Sequence, residues 1–305
     1  MVGAEESAVY VGGPWAHRDI TANGARFHAA ELGTGPLVLL LHGFPQFWWC
    51  WRHALVALGT AGFRAVAPDL RGYGGSDKPP RGYDAFTLAA DCAGMVRALG
   101  ERDAVVVGSG WGGVLGWSIA TLHPQVVRRL VVLGAPHPHR LHAAVAGHPS
   151  RLPAATRQMV GFQTPRLAER YLTRRDAAAV ERLLRTWGGP GWPDPESARR
   201  YREAMQIPGV AHSSLEYHRW AARSLLRSDG LRYGRAMRRP VRVPTAQVHG
   251  ALDRCVPART AASAECVAAP YEWHLLDGVG HFPHEEAPER VNEVLVRWAG
   301  ADAGT

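Results

Sequence analysis

The chain has 305 residues, a formal net charge of +8 and 46% hydrophobic side chains, enough length to bury the core of an α/β enzyme that also carries an insertion. The basic charge is almost all arginine, with Lys78 the lone lysine. The arginines sit in pairs such as Arg128–Arg129 and Arg238–Arg239 rather than in a tract with interleaved aromatics, which argues against a nucleic-acid partner.

The N-terminus, with Glu5 and Glu6, lacks the basic-then-apolar pattern of a secretion signal, and no apolar run nears the roughly 20 residues of a membrane span. A cytoplasmic location with no membrane partner is therefore expected. From the N-terminus, Trp15 to Thr21 and Ala25 to Glu31 flank Asn23–Gly24, a hairpin signal. Short apolar runs of the buried-strand type follow at Leu37 to Leu41, Ala65 to Ala67, Ala104 to Val107 and Leu130 to Leu133. Between them lie helical periods, clearest at Leu88, Cys92, Met95, Val96 and Leu99. This alternation predicts a mostly parallel sheet flanked by helices.

After His137 the pattern changes to about a hundred residues of helical segments broken by Pro and Gly. Alternation resumes at Val241, with strands at Thr245 to His249 and Tyr271 to Leu276. A helix is expected near Ala258 to Val267, and a final one presents Val291, Val294, Leu295 and Trp298 on one face. The expected division is an α/β core of residues 1–136 and 241–305 with an inserted helical cap of 137–240. Cys50, Cys92, Cys255 and Cys266 show neither CxxC nor metal-ligand spacing, so neither a disulfide frame nor a metal is expected.

Gly108-Ser109-Gly110-Trp111-Gly112 joins the Ala104 to Val107 run to the helix-like Val114 to Leu122. Strand, tight turn and helix form the setting of a nucleophile elbow, which needs small residues two places either side of its centre. Glycine occupies that centre. Shifting the register to Ser109 would set Val107 and Trp111 at the crowded positions, so Gly110 is the better centre. In α/β sheets, ligands and catalytic groups gather at the carboxyl ends of the strands. There lie His42-Gly43-Phe44-Pro45 after the Leu37 to Leu41 run, Asp253 after Thr245 to His249, and His281 after Tyr271 to Leu276. The order elbow, acid, histidine is that of α/β-hydrolases.

On these motifs, together with Asp69-Leu70-Arg71-Gly72-Tyr73-Gly74 and Gly278-Val279-Gly280-His281-Phe282, the chain resembles the epoxide hydrolase and haloacetate dehalogenase branch of the α/β-hydrolase superfamily. The resemblance implies that His281 is the general base, that Asp253 orients it, and that the backbone N–H groups of Phe44 and Trp111 form an oxyanion hole. It also implies a nucleophilic Asp where Gly110 stands and His where Ser109 stands. Two cap tyrosines would protonate an epoxide oxygen; their positions match His218, with Tyr217 as a substitute, and Gln158. His42, Ser109, Gly110, His137, Gln158, Tyr217 and His218 are the expected substrate-binding residues.

Without the carboxylate no alkyl-enzyme ester can form. What remains is a cofactor-free general base that needs no neighbouring nucleophile if the substrate is itself an acid. The expected activity is deprotonation of a bulky aromatic or quinone-like substrate by His281, followed by cofactor-independent oxygenation with O₂ as co-substrate. Rearrangement, elimination or cyclisation by the same base is an alternative; so are hydrolysis of an epoxide or ester by His-activated water, and a catalytically dead ligand-binding protein. Trp48, Trp49, Trp51, Trp111 and Trp117 are expected near a pocket for a hydrophobic small molecule, in a monomer or homodimer.

Overall fold

The computed structural model describes residues 8–147 and 160–301. Eight strands form one sheet in the order β1-β2-β4-β3-β5-β6-β7-β8. The hairpin of β1 (Ala16–Ala22) and β2 (Ala25–Leu32) is antiparallel. Asn23 and Gly24 both take positive φ, 47° and 72°, as a two-residue turn matched to strand twist requires. β2 also pairs antiparallel with β4 (Arg64–Pro68). From β4 the sheet is parallel through β3 (Leu37–Leu41), β5 (Ala104–Ser109), β6 (Val127–Leu133), β7 (Thr245–Gly250) and β8 (Tyr271–Leu276).

The central strands are buried on both faces, which is why β3 and β5 read as continuous apolar runs rather than alternating ones. Helices α1 (Arg52–Thr60), α2 (Ala85–Ala98) and α3 (Trp111–Leu122) belong to this layered core. The expected apolar face of α2 is buried at Leu88, Cys92, Met95 and Val96. Its start is set by Asp84, whose carboxylate accepts from the N–H groups of Phe86 and Thr87.

Between β6 and β7 run α4 (Pro138–Gly147), α5 (Leu167–Trp187, interrupted at Arg174 to Ala177), α6 (Pro195–Met205), α7 (Val210–Ser224) and α8 (Ser228–Ala236), with no strand among the described residues. One expectation fails. The helix foreseen near Ala258 to Val267 is only α9 (Ala258–Ala261) followed by a tight turn at Ala264–Cys266. Ser263 is buried between them, its hydroxyl donating to Ala261 O and accepting from His137 N–H, local bonds that compete with helix continuation. A short α10 (Pro283–Glu286) leads into α11 (Pro288–Gly300), which buries the predicted Val291, Val294, Leu295 and Trp298.

The register fixes where function can sit. Leu41 pairs with Gly108, Ser109 with Leu133, and Leu133 with Val248. Beyond the named strands, Gly110 N–H donates to Leu133 O and Gly134 N–H to Val248 O. Four strand ends therefore meet along one edge of the sheet, bringing His42, Gly110, Gly134 and the loop after β7 together.

Candidate active site

At the end of β5 the chain turns through Gly110, with φ 53° and ψ −117°, directly into α3. The flanking glycines are required by contact. A Cβ on Gly108 would lie 2.1 Å from the Gly112 carbonyl oxygen, and one on Gly112 would lie 2.0 Å from Leu41 O. Gly110 differs: its nearest neighbours would be His281 Nε2 at 3.5 Å and Gly43 Cα at 3.7 Å. Its positive φ strains any side chain, but a Cβ there would make only ordinary van der Waals contacts. A Cβ on Gly43 would lie 2.7 Å from Ser109 O and 3.3 Å from Trp111 N, so the turn carrying Phe44 lies directly on the elbow. Neither the Phe44 nor the Trp111 N–H finds an acceptor among the described residues.

His281 reaches the same edge from the loop after β8, where Gly278 takes φ 77°. Glu286 ties that loop down, accepting from Gly280 and Phe282 N–H. His281 Nδ1 lies 2.8 Å from Asp253 Oδ2, and the other Asp253 oxygen accepts from Cys255 and Val256 N–H at 2.7 and 2.8 Å. The carboxylate is thus fixed on one side by its own loop, and on the other it fixes the imidazole. Burial opposes a charge on His281, yet the adjacent Asp253 carboxylate outweighs it and holds the imidazole pKa well above its ordinary value. The Cys255 thiol, also in contact with His281, adds in the same direction.

A cavity of about 700 Å³ opens over this edge, with Gly110, Trp111, Phe44, Trp187, His218 and His281 at one end. Its wall is largely apolar, including Leu88, Val114, Leu115 and Trp220. His218 stands on the wall. Its Nε2 accepts from Trp111 Nε1–H at 2.9 Å, and burial lowers its pKa to about 4, leaving a neutral ring.

Several expected site residues are elsewhere. His42 is fully buried below the edge, where Nε2 accepts from Leu70 N–H and Nδ1 faces Gly43 O; it organises loops instead of lining the cavity. Ser109, still inside β5, also does not line it. His137 is sealed against Trp117, with ring centroids 5.1 Å apart, and is held neutral by burial, with a pKa of about 4. Tyr217 cannot substitute for a cap tyrosine, because its hydroxyl donates to Arg71 O at 2.7 Å, away from the cavity. Gln158 lies outside the described residues. Of the five tryptophans expected near a pocket, only Trp111 lines it; Trp48, Trp49, Trp51 and Trp117 are core.

Trp187, Trp220 and Cys255 line the cavity without having been singled out for it. For Cys255 a signal existed, its position two residues after Asp253 on one loop. Trp187 and Trp220 carry none, since which face of a helix meets the cavity depends on how the inserted segment docks.

The Asp69 motif is a scaffold. Asp69 accepts from Trp48 N–H, Gly75 N–H and the His28 ring, and a Cβ at Gly74 would meet its carboxylate at 2.1 Å. Arg71 pairs with buried Asp91 while its carbonyl takes the Tyr217 hydroxyl. The motif thereby pins α7 to the core.

A doubly covered parallel sheet, a strained turn at the end of its central strand and a His–Asp pair on later loops define the class of α/β-hydrolase folds. The profile described as the alpha/beta hydrolase family matches residues 38–294, and the chain belongs to that family. Among curated relatives, it is 30% identical to an AB hydrolase superfamily protein, YfhM, of Bacillus subtilis, over 92% of this chain and 96% of that one. It is 32% identical to epoxide hydrolase 3 of Xenopus tropicalis, over 90% and 74%. Among solved structures, an epoxide hydrolase from an endophytic Streptomyces superposes with a TM-score of 0.78 at 29% identity, covering 94% of this chain and 96% of that one. The scaffold is epoxide hydrolase-like. Among the described residues no helix is long and apolar enough to cross a membrane.

Proposed function

We propose that the chain is a hydrolase of apolar epoxides or esters that works without a covalent enzyme intermediate. His281, oriented by Asp253, takes a proton from a water molecule, and that water attacks the substrate carbon. The oxygen that gains negative charge, an ester carbonyl or an opening epoxide, is received by the N–H groups of Phe44 and Trp111. The helices between β6 and β7 act as a cap that keeps bulk water from the cavity. The observation that carries this reading is that Gly110 lines the cavity without a side chain, where a Cβ would stand 3.5 Å from His281 Nε2. A water or a substrate atom can stand where a side-chain nucleophile would otherwise reach.

A second reading is favoured by the position of Tyr217. Its hydroxyl is committed to Arg71 O, so that phenol is not available to protonate an epoxide oxygen. If the substrate itself supplies the proton, the same base and oxyanion site generate a bound phenolate or enolate. That anion can rearrange, or pass an electron to O₂ and be oxygenated without a cofactor.

Single turnover in H₂¹⁸O separates the readings. Direct hydrolysis puts the label into product in the first turnover and leaves none in the protein; oxygenation takes its label from ¹⁸O₂. Unchanged turnover in His281→Ala would overturn both.

A further inference from the structure

The part of the cavity wall formed by α9 has a different chemistry. Among the described residues no Asp or Glu lines the cavity, and the one guanidinium that does is that of Arg259, with Thr260 and His142 also on the wall. Arg259 is exposed at the mouth, and among the described residues its guanidinium has neither a carboxylate nor a hydrogen-bond acceptor. Its neighbour is already paired. Arg140 forms an ion pair with Glu265 and donates to the Arg259 carbonyl at 2.7 Å, which holds the Arg259 backbone while leaving its side chain uncommitted.

A smaller hollow of about 250 Å³, lined by Arg140, Ala143, Arg259 and Thr260, shares Arg259 and Thr260 with the main cavity. These two residues stand at the junction between an apolar chamber and a basic surface recess. Guanidinium groups bind carboxylate and phosphate through paired N–H donors, and such bonds strengthen where water is partly excluded. The chain's net charge of +8 gives the recess no long-range opposition to an anion.

We propose that this junction is an anion-binding subsite, and that the substrate is an apolar molecule carrying an oxyanionic end group, held by Arg259 while its body reaches toward His281. This rests on the reading of the cavity as the substrate site, though not on which reaction occurs there. The remaining wall suits the body. Leu141, Leu225, Val114 and Trp220 give it apolar surface.

The test is binding of a matched series to the full chain, followed by quenching of tryptophan fluorescence, since Trp111, Trp187 and Trp220 line the cavity. The probes are phenylhexanoate, its methyl ester and phenylhexyl phosphate. The carboxylate, the phosphate or both are expected to bind about tenfold more tightly than the ester. Arg259→Ala should remove that preference, Arg259→Lys should restore part of it, and salt should weaken it. Which of the two anions gains more identifies the end group. Equal binding of ester and anions would overturn the proposal, as would a preference that survives Arg259→Ala. His281→Ala separates the two sites: if it abolishes the anion preference while Arg259→Ala does not, the anion sits at the dyad and the mouth subsite is wrong. Turnover unchanged in His281→Ala would sink the proposed reaction and leave this result standing.

Discussion

The backbone N–H of His281 donates to the Trp187 carbonyl at 3.0 Å, and the two rings lie 5.8 Å apart. Trp187 ends α5, so the inserted helices hold the loop that carries the imidazole. Glu286 strengthens the link by accepting from both Gly189 and Gly280 N–H. Because the link to Trp187 uses its main chain, Trp187→Ala should leave the loop in place while enlarging the cavity beside the base. The expected result is a KM increase larger than the loss in kcat, with about 3 kcal/mol lost from stability. A collapse of kcat with KM unchanged would show that the ring acts on the chemistry itself.

His281 should dominate catalysis. His281→Ala is expected to lower kcat by roughly 10² to 10⁴-fold, and Asp253→Asn should approach that loss by freeing the ring. The raised pKa of His281 sets the pH dependence. A base whose folded pKa is raised gives up its proton only at a higher pH than an ordinary imidazole, so kcat should climb as pH rises and fall on acidification. A rate that drops with rising pH would assign the imidazolium an acid role instead.

Substitutions at the elbow should divide sharply. Gly108→Ala and Gly112→Ala force a Cβ to within about 2 Å of backbone oxygens, so folded protein should not accumulate. Gly110→Asp meets only positive-φ strain, about 1 to 3 kcal/mol, and should fold. It also places a carboxylate beside His281, so intact mass during turnover of an aryl epoxide should reveal an alkyl-enzyme ester absent from the parent chain. Thermal melting and that mass together decide the point.

Stability should fall as pH drops from 6.5 toward 4. His137 and His218 are held neutral by burial, each with a pKa of about 4, while the unfolded chain takes up protons near 6.5. Between those values the unfolded state binds more protons, so its population rises, by roughly 3 kcal/mol for each histidine at the lower end. Urea midpoints across this range measure the effect. It should shrink in His137→Phe, which leaves one of the two groups.

Cys255 should be the first thiol modified in the native chain. It stands on the cavity wall in contact with His281, whereas Cys50 and Cys92 are sealed in the core and burial pushes their pKa values up. Peptide mapping after brief N-ethylmaleimide treatment should find the adduct on Cys255, and phenylhexanoate in the cavity should slow it. Earlier modification of Cys50 or Cys92 would mean that the core opens more readily than the cavity admits reagent.

The strands, the hairpin turn, the elbow glycines and the His281 and Asp253 positions were all legible in the sequence, because each is governed by spacing along one segment. A continuous apolar run marks a doubly buried strand, and glycine marks a turn that tolerates no Cβ. His42 and His137 misled for the converse reason: each follows a strand at the functional edge, yet one is turned beneath it by Leu70 N–H and the other is sealed against Trp117. Sequence position reached the correct edge but carried no information on which side of it a side chain lies.

Local chemistry thus determined the layered sheet, the strained turn at Gly110 and the histidine that faces it, since those depend on periodicity and on what a backbone without a Cβ can do. Tertiary structure alone decided that Tyr217 is spent on Arg71, that Trp187 and not Trp48 walls the cavity, and that the exposed Arg259 side chain on its wall has no partner among the described residues. Those facts follow from how the helices between β6 and β7 dock on the core. Docking is settled by contacts between residues a hundred or more positions apart, as between Arg71 and Tyr217, and no periodicity within either segment encodes it.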